Sequence, residues 1–225
     1  MSLNRLLGHT QTGSAISATR LNVLIVGVIG GMIGMEHGFF EILQGYQPTK
    51  GILIEAIGPA DRFWPNGTER ALTIIPNFLI SGICSMIVGL IVIAWSIRFV
   101  QLRYGALVYF MLQVVQLLVG GGIAFFTMSL IIAVAATRIG RPLGWWHKHI
   151  HVRIRRVLAK LWLWLLLFTV TVFCALVLAA IFGIWFLDAS TTTSVLRTVG
   201  LVSIGPMILA VLAGIARDTI QADGE

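Results

Sequence analysis

Charge is scarce in this chain. Only 11% of its 225 residues are Asp, Glu, Lys or Arg, against about 25% in a soluble globular domain. So few ionisable groups do not cover a water-facing surface, and 57% of the residues are hydrophobic. Cysteine is nearly absent. Cys84 and Cys174 both sit in apolar runs and read as small buried hydrophobes, which say nothing about redox compartment. Catalytic signatures are lacking too: no HExxH, no GxSxG, no CxxC and no GxxxxGK[ST] phosphate loop occurs. Metalloprotease, serine hydrolase, dithiol redox and nucleotide-driven chemistry therefore have no support in the sequence. No catalytic residue is assigned, and no cofactor or metal is expected. The start, MSLNRLLGHTQTGSAISATR, is too polar for the apolar core of a signal peptide. The first apolar run is thus expected to remain in the mature protein.

What the chain does have is long apolar runs. About 20 such residues span the hydrocarbon as a helix. The runs are 21–40, 76–97, 105–137, 161–187 and 196–216. They are joined by a link of mixed polarity at 41–75 and a basic loop at 138–160. The alternating ten-residue segments of a membrane barrel are missing. The fold class expected is an all-α integral membrane protein. It should be a compact bundle of about five transmembrane helices forming one polytopic domain, 1–225. No link is long enough to bury a core of its own.

The third stretch departs from the simple pattern. As one helix it would be about 50 Å long against hydrocarbon near 30 Å thick. Gly120, Gly121 and Gly122 stand at its middle, and each glycine weakens a helix by about 1 kcal/mol relative to alanine. A long helix kinked there and a broken hairpin of two half-helices both fit. Charge bears on the choice, because cytoplasmic loops retain Lys and Arg. Five crossings with the N-terminus outside put eleven of the 16 basic residues on the cytoplasmic side, and the reverse orientation five. A re-entrant third stretch puts twelve there. Five crossings are the expectation, since half-helices require protein or water around their open backbone ends.

Seven basic residues and no acid lie between Arg138 and Lys160. This loop is expected on the cytoplasmic face of the cell membrane. Arg138, Arg141, Lys148, Arg153, Arg155, Arg156 and Lys160 are the expected contacts for anionic lipid head groups. Trp145 and Trp146 should enter the head-group layer, and Trp162, Trp164 and Trp185 should form interface belts. His147, His149 and His151 alternate, but no carboxylate or cysteine stands near them to complete a metal site. The net charge of +7 is explained by the membrane, and no nucleic acid is expected as a partner.

The first apolar run carries Gly27, Gly31, Gly34 and Gly38 in one narrow stripe. Small residues in that pattern let a second helix approach closely, either within the chain or from a homodimer or another protein. Glu36 lies on the opposite side. A carboxylate there should avoid lipid. His37 and Glu41 are one turn apart and can reach each other. In the third stretch, Gln113 and Gln116 share a face just before the glycines. Glu36, His37, Glu41, Gln113 and Gln116 are therefore the candidate intramembrane polar or ion site. Gly27, Gly31, Gly34, Gly38, Gly120, Gly121 and Gly122 are the candidate helix-packing residues. The plain alternative is that the ionisable groups are hydrated near a helix end and the glutamines merely bridge helices.

In the link, Gly58-Pro59 and Trp64-Pro65 read as turns. Asn66 and Glu69 have the spacing of a reciprocal helix cap, from which a helix could run on through Pro76. Asn66-Gly67-Thr68 also fits a glycosylation sequon. In the last run, Gly205-Pro206 is expected to bend the helix.

Three function classes follow from these residues. The first is a small transporter or channel-like bundle for a small solute or ion. The second is an accessory or assembly subunit without chemistry of its own. The third is a membrane enzyme acting on lipid or isoprenoid.

Overall fold

The computed structural model describes residues 16–57, 69–182 and 188–224. Along the chain lie α1 (Ala18–Leu43), β1 (Leu53–Ile57), β2 (Glu69–Leu72), α2 (Phe78–Arg98) and α3 (Gly105–Leu118). There follow α4 (Ile123–Ala136), α5 (Gly144–His149), α6 (Val152–Phe182) and α7 (Ala189–Ala222). Among the described residues, four helical stretches are long and apolar enough to cross a membrane: Ala18–Leu43, Phe78–Arg98, Val152–Leu176 and Thr198–Ala222. The chain is a multi-pass, integral membrane protein built as a helical bundle. Its outer face is apolar, with Ile83, Ile87, Leu90, Met111, Leu163, Trp164 and Leu201 all exposed. Its interior holds many of the polar side chains, an inversion that suits lipid as the solvent.

Helix α1 starts where two acceptors meet its open amides. Ser17 accepts from the Arg20 amide at 3.2 Å. Asp218, far along the chain, accepts from the amides of Ala18 at 2.7 Å and Thr19 at 3.0 Å. This satisfies first-turn donors and places negative charge at the positive end of the helix dipole. Asn22 Nδ2 donates to the Ala210 carbonyl, and Trp162 Nε1 donates to Asn22 Oδ1. The N-terminal end of α1 is thus pinned to the end of α7 and the first half of α6. Trp162, expected at an interface belt, is instead buried at 6% exposure because its indole N–H finds a partner in Asn22. Trp164 is exposed at 72%, and Trp185 lies outside the described residues.

The glycine stripe of α1 faces helices of the same chain. Gly38 packs on Gly82 and Gly31 on Gly89 of α2, each so close that a methyl group would meet the opposing carbonyl. Gly27 faces Ser96 and Tyr109, and Gly34 faces Gln116. Rising positions in α1 match falling positions in α2, so the two run antiparallel.

The third stretch is broken at its glycines, and its two halves fold back on each other. Gly27 meets Tyr109 and Gly34 meets Gln116, so α3 runs parallel to α1. Gly122 meets His37 and Gly30 meets Phe125, so α4 runs antiparallel to α1. Each half has 14 residues, about 21 Å at 1.5 Å per residue. Neither is as long as the hydrocarbon is thick, about 30 Å. The count of five crossings is accordingly not confirmed. Among the described residues there are four long apolar spans and a helical hairpin. Arg20, Arg98, Arg103, the basic segment from Arg138 to Lys160, and Arg217 consequently share one end of the bundle. Lys50 and Arg70 lie toward the other.

The link forms a small antiparallel sheet in which Leu53 pairs with Leu72, Ile54 with Ala71 and Glu55 with Arg70. Glu69 sits in a strand rather than in the expected helix turn. The reason is local: Ala71 and Thr73 are buried while Arg70 is exposed, an alternation with the period of a strand. Gly58-Pro59, Trp64-Pro65 and the Asn66 sequon lie outside the described residues. Helix α2 begins only after Pro76, capped by the Asn77 side chain accepting from the Ile80 amide. Helix α7 passes through Pro206 without interruption.

Candidate functional site

The hairpin tip is held by three backbone hydrogen bonds, two to the link and one within the hairpin. Gly120 donates its amide to the Leu72 carbonyl at 3.0 Å, and Ile74 donates to the Leu118 carbonyl at 2.9 Å. Gly121 donates back to the Gln116 carbonyl at 2.8 Å. The end of β2 therefore supplies the partners that the interrupted helix leaves open, which is the condition for irregular backbone at membrane depth. Gly120 and Gly122 have φ of +97° and +86°, a region where side chains are strained and glycine is not.

Around this tip lies a closed polar cluster. Glu41 from the last turn of α1 is 0% exposed, and His37 one turn earlier is 7% exposed. The Glu41 carboxylate lies against Gly120, the His37 ring against Gly122, and the Gln116 amide against both Gly34 and Gly121. Thr73 from the link and Ser81 and Ser85 from α2 complete it, each at most 1% exposed.

The bonding within the cluster is incomplete. Ser85 Oγ donates to the Gly34 carbonyl at 2.8 Å, and Gln116 Nε2 donates to Ser85 Oγ at 2.8 Å and to the Ser85 carbonyl at 3.1 Å. Ser81 Oγ is 2.7 Å from Thr73 Oγ1 and 3.1 Å from the Val119 carbonyl. That hydroxyl also lies beside Glu41, and it has one proton to give among Thr73, the Val119 carbonyl and the carboxylate. Neither oxygen of Glu41 has a well-formed hydrogen bond, nor do Gln116 Oε1 and Gln113 Nε2. His37 Nδ1 donates to the Ile33 carbonyl at 3.0 Å. In a neutral ring this leaves the lone pair on Nε2, on the side that faces Gly122.

Of the residues singled out from the sequence, His37, Glu41 and Gln116 meet at the break. Gln113 is buried one turn below Gln116, at 3% exposure. Glu36 does not join them. It is half-buried and is not among the side chains that contact the break glycines. The carboxylate of the cluster is Glu41. Thr73, Ser81 and Ser85 were not anticipated. A signal for the serines existed: Ser81, Ser85, Gly89 and Ser96 recur on one face of α2, the same small-residue pattern that marked α1. Thr73 had none, because only tertiary folding brings the link to the tip. Among the described residues, no three His, Cys, Asp or Glu side chains converge as metal ligands would.

At the opposite end, Arg138, Arg141, Lys148, Arg153, Arg156 and Lys160 are exposed. Arg155 differs from the expectation of a lipid contact. It is 6% exposed and donates to Asp223 at 2.9 Å and to the Ile150 carbonyl at 3.3 Å, with His147 Nδ1 3.2 Å away. A buried guanidinium requires such partners, and here they tie the basic segment to the end of α7.

Compared with known protein families, with characterised proteins and with solved structures, the chain matches none of them.

Proposed function

We propose that the protein is a small membrane transporter or channel-like bundle for protons or a small cation, working through Glu41 at the hairpin tip. The observation that carries this reading is the Glu41 carboxyl, fully enclosed with neither oxygen in a well-formed hydrogen bond. An uncompensated polar group of this kind costs several kcal/mol. Ionisable groups kept within spans at such cost face pathways for ions or protons. A helix broken beside a carboxylate, with a glutamine oxygen nearby that has no hydrogen-bond partner, is also an arrangement by which discontinuous helices hold a small cation.

The basic end of the bundle is assigned to the cytoplasm on the positive-inside rule, and the hairpin tip then faces the outside half of the membrane. The cell membrane is the proposed location. In the conformation described, the methyl-sized space at Gly120, Gly121 and Gly122 is filled. Transport requires the tip to move away from α1.

That same close filling favours a second reading, an accessory subunit whose polar cluster only fixes the hairpin. The two separate in vesicles containing the purified protein and a trapped pH dye, under a sodium or potassium gradient. Transport predicts a proton or cation flux that Glu41→Gln abolishes while folded yield is kept. No flux in the native protein, or an undiminished flux in Glu41→Gln, removes the proposal.

A further inference from the structure

We infer that protons pass between Glu41 and the basic end of the bundle along the inner face of α3, by way of Tyr109, Gln113 and Gln116. This rests on the transport reading and names its ion and its route. The buried residues of α3 are Gly105, Tyr109, Gln113 and Gln116. Their spacings of four, four and three place them in one stripe along the helix. All three side chains on it carry polar groups, while Leu107, Met111 and Val115 of the same helix are exposed. Close packing alone does not call for such a face. Small or apolar residues let helices meet without the cost of enclosing amides.

On this stripe the polar atoms outnumber their partners. Tyr109 is 0% exposed, and Gln113 and Gln116 are 3% exposed. Tyr109 Oη lies beside the Gln113 side chain, yet neither it nor Gln113 Nε2 has a well-formed hydrogen bond. The engaged end of Gln116 is Nε2, which donates to Ser85, and its Oε1 is left open. Open polar atoms therefore continue from the carboxylate of Glu41 down the stripe to Tyr109. Gln116 and Tyr109 are seven residues apart, about 10 Å at 1.5 Å per residue. Tyr109 stands one turn from Gly105, and residues 101–104 just before that turn are exposed. The stripe thus leads from the enclosed carboxyl to the water-facing link at the basic end.

Across from the stripe, α1 presents glycine. Gly27 faces the Tyr109 ring and Gly34 faces the Gln116 amide. In the opening that transport requires, α3 leaves α1 together with the tip. The space gained lies between bare backbone and the open polar atoms, and water enters to pair with them, as it does with unsatisfied groups inside proteins. Tyr109 selects the ion. A hydroxyl both accepts and donates. It takes a proton from water on one side and releases its own to water on the other, which leaves the phenol unchanged. The two glutamine amides hold the water between Tyr109 and Glu41.

Vesicles holding the full chain and a trapped pH dye test the route. Sodium and potassium are equal on both sides, a potassium ionophore holds the membrane potential at zero, and a pH step is applied. The native protein should carry protons, and Tyr109→Phe and Gln113→Leu should each lower that flux by about tenfold. Each variant removes polar atoms that lack partners, so its unfolding midpoint in detergent should stay level or rise. Thr169→Val, which alters a buried hydroxyl of α6 already bonded to the Leu165 carbonyl, should leave the flux unchanged. A fall in flux matched by a fall in midpoint gives Tyr109 and Gln113 a structural role and overturns the route. Flux that Glu41→Gln abolishes but Tyr109→Phe and Gln113→Leu leave intact also overturns the route, and spares the transport reading. Flux that appears only under a sodium or potassium gradient overturns the proton as the ion. No flux of either kind removes the transport reading, and the route with it.

Discussion

The carboxylate of Glu41 lies against the backbone of Gly120, across a gap too small to admit a methyl group. The last turn of α1 and the tip of the helical hairpin are thereby locked in one relative position. Gly120 has φ +97°, so two separate constraints, a backbone conformation and a close approach, call for glycine at the same place.

Gly120→Ala should therefore destabilise the protein by about 1–3 kcal/mol, from left-handed strain added to the collision. Thermal unfolding in detergent measures it. Combining Gly120→Ala with Glu41→Ala should recover part of the loss, because the second change removes the colliding atoms. A double variant that shows only the sum of the two single effects would mean that the residues do not touch.

Gln116, Ser85 and Gly34 form a chain of hydrogen bonds linking α3, α2 and α1. Ser85→Ala removes its central link and should cost about 1 kcal/mol, the usual scale for such bonds between membrane helices. In a Gln116→Leu background the cost of Ser85→Ala should shrink, since one of its partners is gone. Unfolding midpoints of the native protein, the two single variants and the double variant decide the matter. An unchanged cost in the Gln116→Leu background argues against the link.

The hairpin makes a prediction about sidedness. With Cys84 and Cys174 replaced by Ser, single cysteines at Gln101, Gly140 and Tyr46 can be labelled from either face of oriented vesicles. Gln101→Cys and Gly140→Cys should react from the same side and Tyr46→Cys from the other. A third stretch that crossed once would place the first two on opposite sides.

Much of the bundle was legible from composition. The run 21–40 lies inside α1, and 76–97 nearly coincides with α2, because unbroken apolar length is a local property that lipid reads directly. The break at Gly120–Gly122 was legible for the same reason, since glycine weakens a helix wherever it stands. Its consequence was not. Whether two half-helices continue or turn back depends on what receives their open backbone groups. Here the end of β2 and the residues just after it do so, through Leu72 and Ile74, and nothing in the order of residues connects those positions to Leu118 and Gly120.

The polar residues divide in the same way. His37 and Glu41 stood out because a charge in an apolar run is costly. Their meeting with Gln116, Ser81 and Thr73 depended on which faces of three helices turned inward. Glu36 drew the same attention as Glu41, yet one is half-buried and the other enclosed, because they lie on different sides of a helix whose neighbours the sequence does not name. Arg155 and Arg156 are adjacent in the same basic segment, but Arg155 is drawn into a buried pair with Asp223 while Arg156 is exposed. The sequence by itself determined that this chain is a membrane bundle with a third stretch kinked or broken at its glycines and one strongly basic end, because hydropathy, charge and glycine act locally. The tertiary structure alone decided that the broken stretch is a hairpin and which polar groups are enclosed, because both depend on packing between helices distant in the chain.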